Sequence, residues 1–565
     1  MRRTPFLFSL AALALLGCEN EPEETTPDET IQLVDLSAEE HLVRASIALR
    51  GVRPSLEELR RVQDDPKAVA QIVDEYLSSP EFGRTLRDLH NEALMLRPDW
   101  AYYPAGFPAR GKLAQSDMVA INLSVQEAPL KLIEHVVMND LPYGEIVTAD
   151  YVMADSLAAT VWNLPYQAGG AEWQQTAYKD ARGKAGILSD SWLYVRWQST
   201  PSNANRARAN AVSRALLCYD VLSRDVELDT SVNHSDPNAV QQAVENAPPC
   251  ASCHQAVDPM ASFFKDIFPI VVPDQLEDYP AERMWLPGVF EIYLGIEMRE
   301  PAYFGQPGET LTDLGRMISE DPRFSRCAAQ RFYAYFNQVP LSEVPFEEAA
   351  SLQEKFIDSG LNARALTKAV IMGERFRASH TATKHGSKGF VGLRKARPDE
   401  LASMIEDLTG FVWKVDLGPF TENQMREVEL PRDSFIGFRV IGGGTDSAYV
   451  TENTFTDNAT SSLFLRTFAE EAAAFVVRTD LGNADRASRK LLTLVEEATS
   501  DEPTVRAQLA ELHGRVLSEL VAADSAEVDA TFALYQALLA ESQSSRRAWE
   551  GTLAAMLQDV RITYY

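Results

Sequence analysis

Apolar residues recur at helical spacing from residue 38 to residue 96. Two successive segments carry this spacing, with Leu42, Ile47 and Leu49 in the first and Leu56, Leu59 and Val62 in the second. Ser55 stands directly before the second segment and is followed by acidic residues, which is typical of a helix N-cap. A third helix is predicted over residues 66–77, ending at a Ser-Ser-Pro turn. Residues 38–96 are therefore predicted to form an N-terminal helical module.

The rest of the chain is predicted to be helical with less regular stretches. Residues 97–200 are richer in Trp, Tyr, Pro and Gly and predict a mixed, irregular region with one helix over 128–137. Helical spacing returns in residues 201–384. Residues 385–565 begin with a helix at 398–408, pass through a Gly- and Thr-rich region and end in four periodic helical stretches. The pattern predicts a mainly α, multi-domain protein with helical N- and C-terminal domains.

Residues 1–17 have the pattern of a bacterial lipoprotein signal. Two arginines precede an apolar run over residues 6–16, and a small residue stands just before Cys18. The run is much shorter than the roughly 20 apolar residues that span a bilayer. Cleavage would leave Cys18 first, where it resembles the acylated cysteine of bacterial lipoproteins, whose multiple acyl chains give stable anchoring. Residues 18–37 are predicted to be an acidic tether, because the Pro- and Glu-rich text disfavours the alternative of a buried N-terminal helix.

Charge and composition argue against some classes of function and favour others. Lys and Arg total 53 against 82 Asp and Glu, which gives a net charge of −29 and argues against nucleic-acid binding. The apolar content of 45% is typical of soluble globular proteins. Together with the lipoprotein signal, this composition predicts a protein of the cell envelope. Its lipid anchor at Cys18 would hold it to a membrane, facing the periplasm or the cell surface.

The five cysteines fall into three groups. Cys18 is assigned to the lipid, Cys250 and Cys253 form a close pair, and Cys218 and Cys327 are isolated. In an oxidising envelope the two isolated residues are a candidate disulfide. Two independently buried thiols are the alternative.

Residues Cys250-Ala251-Ser252-Cys253-His254 match the C-x-x-C-H pattern of haem attachment. The spacing lets two thiols reach the two vinyl positions of one haem while the adjacent imidazole reaches the iron. Haem c is attached outside the cytoplasm, so the export signal and this motif support each other. The motif predicts one covalent haem c, with His254 as an iron ligand, in a cytochrome-c-like region over residues 201–384.

Three other structures can contain a close pair of cysteines. A tetrahedral zinc site usually has a second close pair of ligands, which Cys218 and Cys327 do not form. A thioredoxin-like dithiol lies at the start of a helix after a strand, whereas this pair follows Pro248-Pro249 within mostly helical text. A structural disulfide between Cys250 and Cys253 remains open.

Several stretches of the chain resemble the planctomycete-type cytochrome c proteins, large families of domains of unknown function found in Planctomycetes and myxobacteria. The more specific stretches are residues 184–188, 206–218, 250–259 and 321–336, and the less specific ones are 127–130, 139–151, 359–376 and 406–410. This resemblance implies a haem-binding extracytoplasmic protein, in a family without a settled reaction. The chain departs from the family at Met260 and Ala261, because family members usually carry glycine soon after the Asp-Pro pair.

The sixth iron ligand is predicted from the methionines. Met260 lies only six residues beyond His254, on the proximal side, and Met317 has the spacing of a core residue. Met284 and Met298 lie in irregular, proline-containing text that can loop over a haem face. Met298 is the preferred ligand, and binding by both Met298 and His254 would favour electron transfer by filling the coordination shell.

Three functions compete at this point. The first is an envelope electron-transfer protein, or the haem-bearing part of an oxidoreductase, acting with an unidentified redox partner protein. The second is a haem-independent surface lipoprotein, a scaffold or binding protein, with a structural disulfide at Cys250 and Cys253. The third is a haem enzyme such as a peroxidase, which needs an open iron position that cyanide or carbon monoxide binding would reveal. The sequence assigns no enzyme activity.

Overall fold

The architecture is mainly helical, as predicted, with helix over 60% of the computed structural model. The residues described are 32–98, 111–223, 231–233, 235–268, 285–382, 389–421, 424–433 and 438–565. The signal segment 1–17, Cys18, most of the tether and Met284 lie outside these residues. Among the described residues, no helix has the length and apolar character needed to cross a membrane.

Twenty-three α-helices lie in the described part of the chain. Those before residue 300 are α1 (Ala38–Arg50), α2 (Leu56–Asp64), α3 (Ala68–Leu77), α4 (Pro80–Leu94), α5 (Met118–Met138), α6 (Glu145–Thr148), α7 (Ser156–Val161), α8 (Arg206–Leu217), α9 (Pro237–Asn246), α10 (Pro248–Ala261) and α11 (Val289–Leu294). Those after it are α12 (Leu311–Glu320), α13 (Pro322–Asn337), α14 (Phe346–Asp358), α15 (Ala363–Ile371), α16 (Glu374–Arg377), α17 (Pro398–Thr409), α18 (Phe438–Ile441), α19 (Ala459–Gly482), α20 (Glu502–Leu512), α21 (Ala526–Ser542), α22 (Ser545–Leu557) and α23 (Val560–Thr563).

Strands are few and form antiparallel pairs in the described residues. The pairs are β1 (Leu33–Asp35) with β6 (Ala378–Thr381), β2 (Val152–Ala154) with β3 (Gln174–Thr176), β4 (Ala302–Tyr303) with β5 (Gln306–Pro307), and β7 (Lys414–Thr421) with β8 (Gln424–Glu429). The first pair brings the start of the described chain to residues 378–381, with Leu33 opposite Thr381.

Helix α2 begins where the sequence predicts, directly after Ser55. The Ser55 hydroxyl accepts a hydrogen bond from the Glu58 backbone N–H (3.2 Å), and the Glu58 carboxylate accepts one from the Ser55 N–H (2.6 Å). This reciprocal capping satisfies two backbone donors at the start of α2. Ser79 caps α4 by a single hydrogen bond, which its hydroxyl accepts from the Phe82 backbone N–H (3.4 Å), directly after the predicted turn that ends α3. The N-cap predicted at Ser55 and the predicted end of α3 at residue 77 are confirmed.

Two hydrophobic cores hold the described residues together. The main core draws its buried side chains from residues 42–376, and the second draws on residues 396–562 together with Ile47 of α1. The predicted borders near residues 96 and 200 thus lie within one continuous core. The division of the chain into folded regions stays a prediction, whereas the two cores are observed.

Candidate haem-attachment site

Cys250, Cys253 and His254 lie on α10, which begins at Pro248 and directly follows α9. Proline suits the first turn of a helix because the N–H it lacks would have no partner there, so the Pro-Pro pair starts α10. Side chains three and four positions apart share one helix face. Both thiols and the imidazole therefore project from one side of α10, which is partly exposed. Both thiols are free.

The His254 ring is oriented by a carboxylate one helical turn further along. Nδ1 lies 2.9 Å from Oδ1 of Asp258. An ionised carboxylate only accepts hydrogen bonds, so Nδ1 carries the proton and donates it. Nε2 has no hydrogen-bond partner among the described residues and is left with a free lone pair. Histidines that bind metals usually donate the other ring N–H to a carboxylate, carbonyl or water in this manner.

Asp258 is itself held by arginines from two other segments. Arg206, the first residue of α8, donates from Nε to Oδ1 (2.6 Å) and from Nη2 to Oδ2 (3.2 Å). Arg299 Nη2 lies 3.7 Å from Oδ2. Burial alone would raise the pKa of Asp258, but the hydrogen bonds from His254 and Arg206 prevail and lower it to about 2. The group behind the imidazole is therefore a carboxylate anion at neutral pH.

The donor set fits a covalently attached haem. Two free thiols three residues apart can form the two thioether bonds, and the adjacent imidazole offers Nε2 to the iron. Sequence reasoning identified these three residues but gave no role to Asp258 or Arg206. The spacing of four between His254 and Asp258 was an available signal, whereas the contact with Arg206 spans 52 residues.

Met298 lies in the irregular segment that follows α11. Its side chain is partly buried against both the main core and a small cluster formed by Phe268, Val289 and Phe290. The next residue, Arg299, reaches Asp258, so this segment lies near α10. Binding of iron by Met298 stays a prediction. Met260 and Met317 are core residues, exposed by only 3% and 2%.

Cys218 and Cys327 are joined in a disulfide with a Cα–Cα distance of 5.2 Å. Cys218 ends α8 in a left-handed backbone conformation with φ of 50°, and Cys327 lies in α13, where it is buried. The bridge therefore fixes the end of α8 against α13.

In the described residues, no group of three or more His, Cys, Asp or Glu side chains is arranged to hold a metal ion.

Three features of α10 carry the chemical argument: the spacing of the thiols, the neighbouring imidazole and the carboxylate behind it. The first two are visible in the sequence, and the third comes from the structure. Comparison with protein family models, with curated proteins and with solved structures finds no match for this chain.

Proposed function

We propose that this chain is an extracytoplasmic c-type haem protein that transfers electrons or forms the haem-bearing part of an oxidoreductase. The observation that carries the proposal is the His254–Asp258 pair on the same helix face as two free thiols. A disulfide would have no need of an imidazole oriented in this way. A zinc site would use one, but no group of three or more His, Cys, Asp or Glu side chains in the described residues is arranged to hold a metal ion. The proposal includes a cytochrome-c-like region over residues 201–384, built around α8 and α10.

Each residue of the site has a defined task in this proposal. Cys250 and Cys253 hold the haem through thioether bonds, and His254 binds its iron through Nε2. Asp258 fixes the tautomer and the ring orientation of His254 and makes the imidazole a stronger donor. Arg206 keeps the Asp258 carboxylate ionised in its buried position. The haem, when bound, supplies one-electron redox chemistry.

The proposed setting is the cell envelope, with Cys18 lipidated and residues 18–37 acting as a tether. The redox partner is a second protein. A net charge of −29 favours a partner with a positively charged docking face over nucleic acid. Complementary charge of this kind mainly increases the rate of association.

The test is production of the full chain in a host that attaches haem to c-type cytochromes. We expect haem staining on a denaturing gel and a c-type band in alkaline pyridine from the wild type. Cys250→Ala/Cys253→Ala should lose both signals because the thioether bonds cannot form. Ser252→Ala is the matched control, since it changes an exposed residue inside the motif and leaves the three site residues intact.

Two results would overturn the proposal. One is wild-type protein without an iron porphyrin, produced alongside a known c-type cytochrome that matures normally. The other is a bond between Cys250 and Cys253 in the mature protein, detected by mass spectrometry of unreduced peptides. Either result would favour the haem-independent surface lipoprotein instead.

A further inference from the structure

A cavity of about 800 Å³ lies between helices of the main core and residues of the segment 397–455. Residues of α4, α8 and α13 line it from the main core, and Arg397 and Phe455 line it from the other side. Its volume is within the range of small-molecule sites. Cys218 of the disulfide forms part of its wall. The residues named for haem attachment do not line it.

Two arginines of this cavity are placed by the disulfide. Arg214 precedes Cys218 by four residues on α8, and Arg331 follows Cys327 by four residues on α13. A spacing of four puts each arginine on the same helix face as its cysteine, one turn away. The bridge thus brings the arginines together as well as the cysteines. Arg331 donates from Nη2 to the Arg214 backbone carbonyl (2.6 Å).

Neither guanidinium has a carboxylate partner within 4 Å among the described residues. Arg331 also donates from Nε to the Ala215 carbonyl (2.9 Å), near the end of α8, and its Nη1 has no described partner. Arg214 makes only a 3.7 Å contact with the Met95 sulfur and lies over the Trp197 ring. The partial negative charge at a helix end is about half a unit, which falls short of balancing two full charges.

The pKa of Arg331 reflects its burial and the nearby charge of Arg214. Burial and, to a smaller extent, the positive charge of Arg214 lower the pKa of Arg331 to about 10, against the opposing effects of Tyr143 and Glu92. Arg397, on the opposite wall, differs because it is paired with Glu92 (3.0 Å) and Glu400 (3.3 Å). Glu92 also accepts a hydrogen bond from Asn453 (2.6 Å), and its negative charge acts on Arg331 without a direct contact. The arginine pair therefore has no directly paired anion in the described residues, although the carboxylates of Glu92, Asp220 and Glu452 also line the cavity.

We propose that this cavity binds a small organic anion, through a carboxylate or phosphate group held between Arg214 and Arg331. Planar guanidinium groups with free donors match the oxygens of both anions. Apolar side chains at Leu89, Val339 and Phe455 line the cavity as well, which suits a ligand with an apolar body. This inference is independent of haem attachment.

Calorimetric titration of the mature wild-type protein with benzoate and with phenyl phosphate tests the proposal. The two probes share an apolar ring and differ only in the anionic group, so the tighter one identifies the ligand class. Arg214→Gln should weaken binding at least about tenfold, because it removes charge-assisted hydrogen bonds. Arg466→Gln, an exposed arginine of α19, is the control and should bind as the wild type does.

A second readout separates a binding role from a structural one. Without ligand, Arg214→Gln should keep or raise the melting temperature, because it removes repulsion from Arg331. With benzoate or phenyl phosphate, the wild type should gain melting temperature and this variant should not. Cys218→Ser/Cys327→Ser should also bind more weakly, since the two helices lose their fixed spacing. Absence of saturable binding of both probes, or equal binding by Arg214→Gln, would refute the site.

Discussion

Two buried histidines, His41 and His90, differ from His254 in what their rings contact. His90 donates from Nδ1 to the Leu86 carbonyl (2.7 Å) and accepts at Nε2 from the Tyr143 hydroxyl (2.8 Å). Nε2 of His41 lies 3.0 Å from the Ile371 carbonyl oxygen. These partners are neutral, and burial lowers the pKa of both rings to about 4. His254 alone of the three is partly exposed, at 24%, and contacts an ionised carboxylate.

The neutral state of His90 makes stability depend on pH. Its pKa is about 4 in the folded protein, against 6.5 for the free side chain, so below pH 6.5 the unfolded chain binds the extra proton. Stability from this residue is complete above pH 6.5 and is lost as the pH falls towards 4. Between pH 7 and pH 5 the loss should be about 2 kcal/mol. Urea unfolding at pH 7 and at pH 5 measures the free energy of unfolding. The decrease between the two pH values should be about 2 kcal/mol smaller in His90→Gln than in the wild type.

The comparison with a variant is needed because other groups titrate in the opposite sense. Burial raises the pKa of Asp190 and of Glu400 to about 7, so these carboxyls favour the folded state as the pH falls. His380→Gln, in an exposed position of β6, should keep the wild-type difference. An equal difference in His90→Gln and the wild type would contradict the prediction.

At the scale of single residues, the sequence identifies those candidate site residues that form a recognisable local pattern. Cys250, Cys253 and His254 are adjacent along the chain, so the pattern can be recognised without a fold. The contact of Asp258 with Arg206 depends on the packing of α8 against α10, and no local pattern encodes it. Long-range partners of this kind require the structure.

At the scale of elements, local signals located helices better than they located the ends of helices. The helix predicted over residues 128–137 is the last part of α5, a longer helix that continues through Pro129. Four periodic stretches at the end of the chain became α19, α20, α21 and α22. The hairpin of β7 and β8 had no prediction, because pairing with a neighbouring strand stabilises it more than intrinsic propensity does.

The disulfide between α8 and α13 should contribute substantially to stability. It closes a loop of 109 residues, and a cross-link across so long a segment reduces the entropy of the unfolded chain. Cys218→Ala/Cys327→Ala should lower the free energy of unfolding by about 2–4 kcal/mol. Urea unfolding with and without a thiol reductant measures this. The reductant should destabilise the wild type and leave the double variant unchanged, and a wild type insensitive to it would contradict the prediction.

At the scale of the whole molecule, the two cores are connected through buried polar contacts. Arg397, which caps α17, pairs with Glu92 of α4 and donates to the Tyr335 carbonyl of α13 (2.9 Å). Its side chain is 7% exposed. The sequence does not predict this connection. Domain boundaries are predicted where the local pattern changes, whereas Arg397 contacts Glu92, about 300 positions earlier in the chain.

Arg397→Gln should therefore destabilise the whole protein. The substitution leaves Glu400 buried without its charge partner, and breaking a buried ion pair typically costs about 3–5 kcal/mol. Denaturant unfolding followed by circular dichroism measures the effect. Arg466→Gln breaks an exposed pair and should change stability by less than about 1 kcal/mol. Similar values for the two variants would show that Arg397 does not couple the cores.

The length of helix α8 is constrained because each of its ends is attached to another part of the chain. Its first residue, Arg206, must meet Asp258, while Cys218 at the other end must meet Cys327. The rise of an α-helix sets these ends about 18 Å apart, and each added residue turns one end by about 100° relative to the other. An insertion or deletion of one residue within α8 would thus misalign one of the two attachments. Substitution at an exposed position of this helix would leave both attachments in place, whereas a change in its length would not.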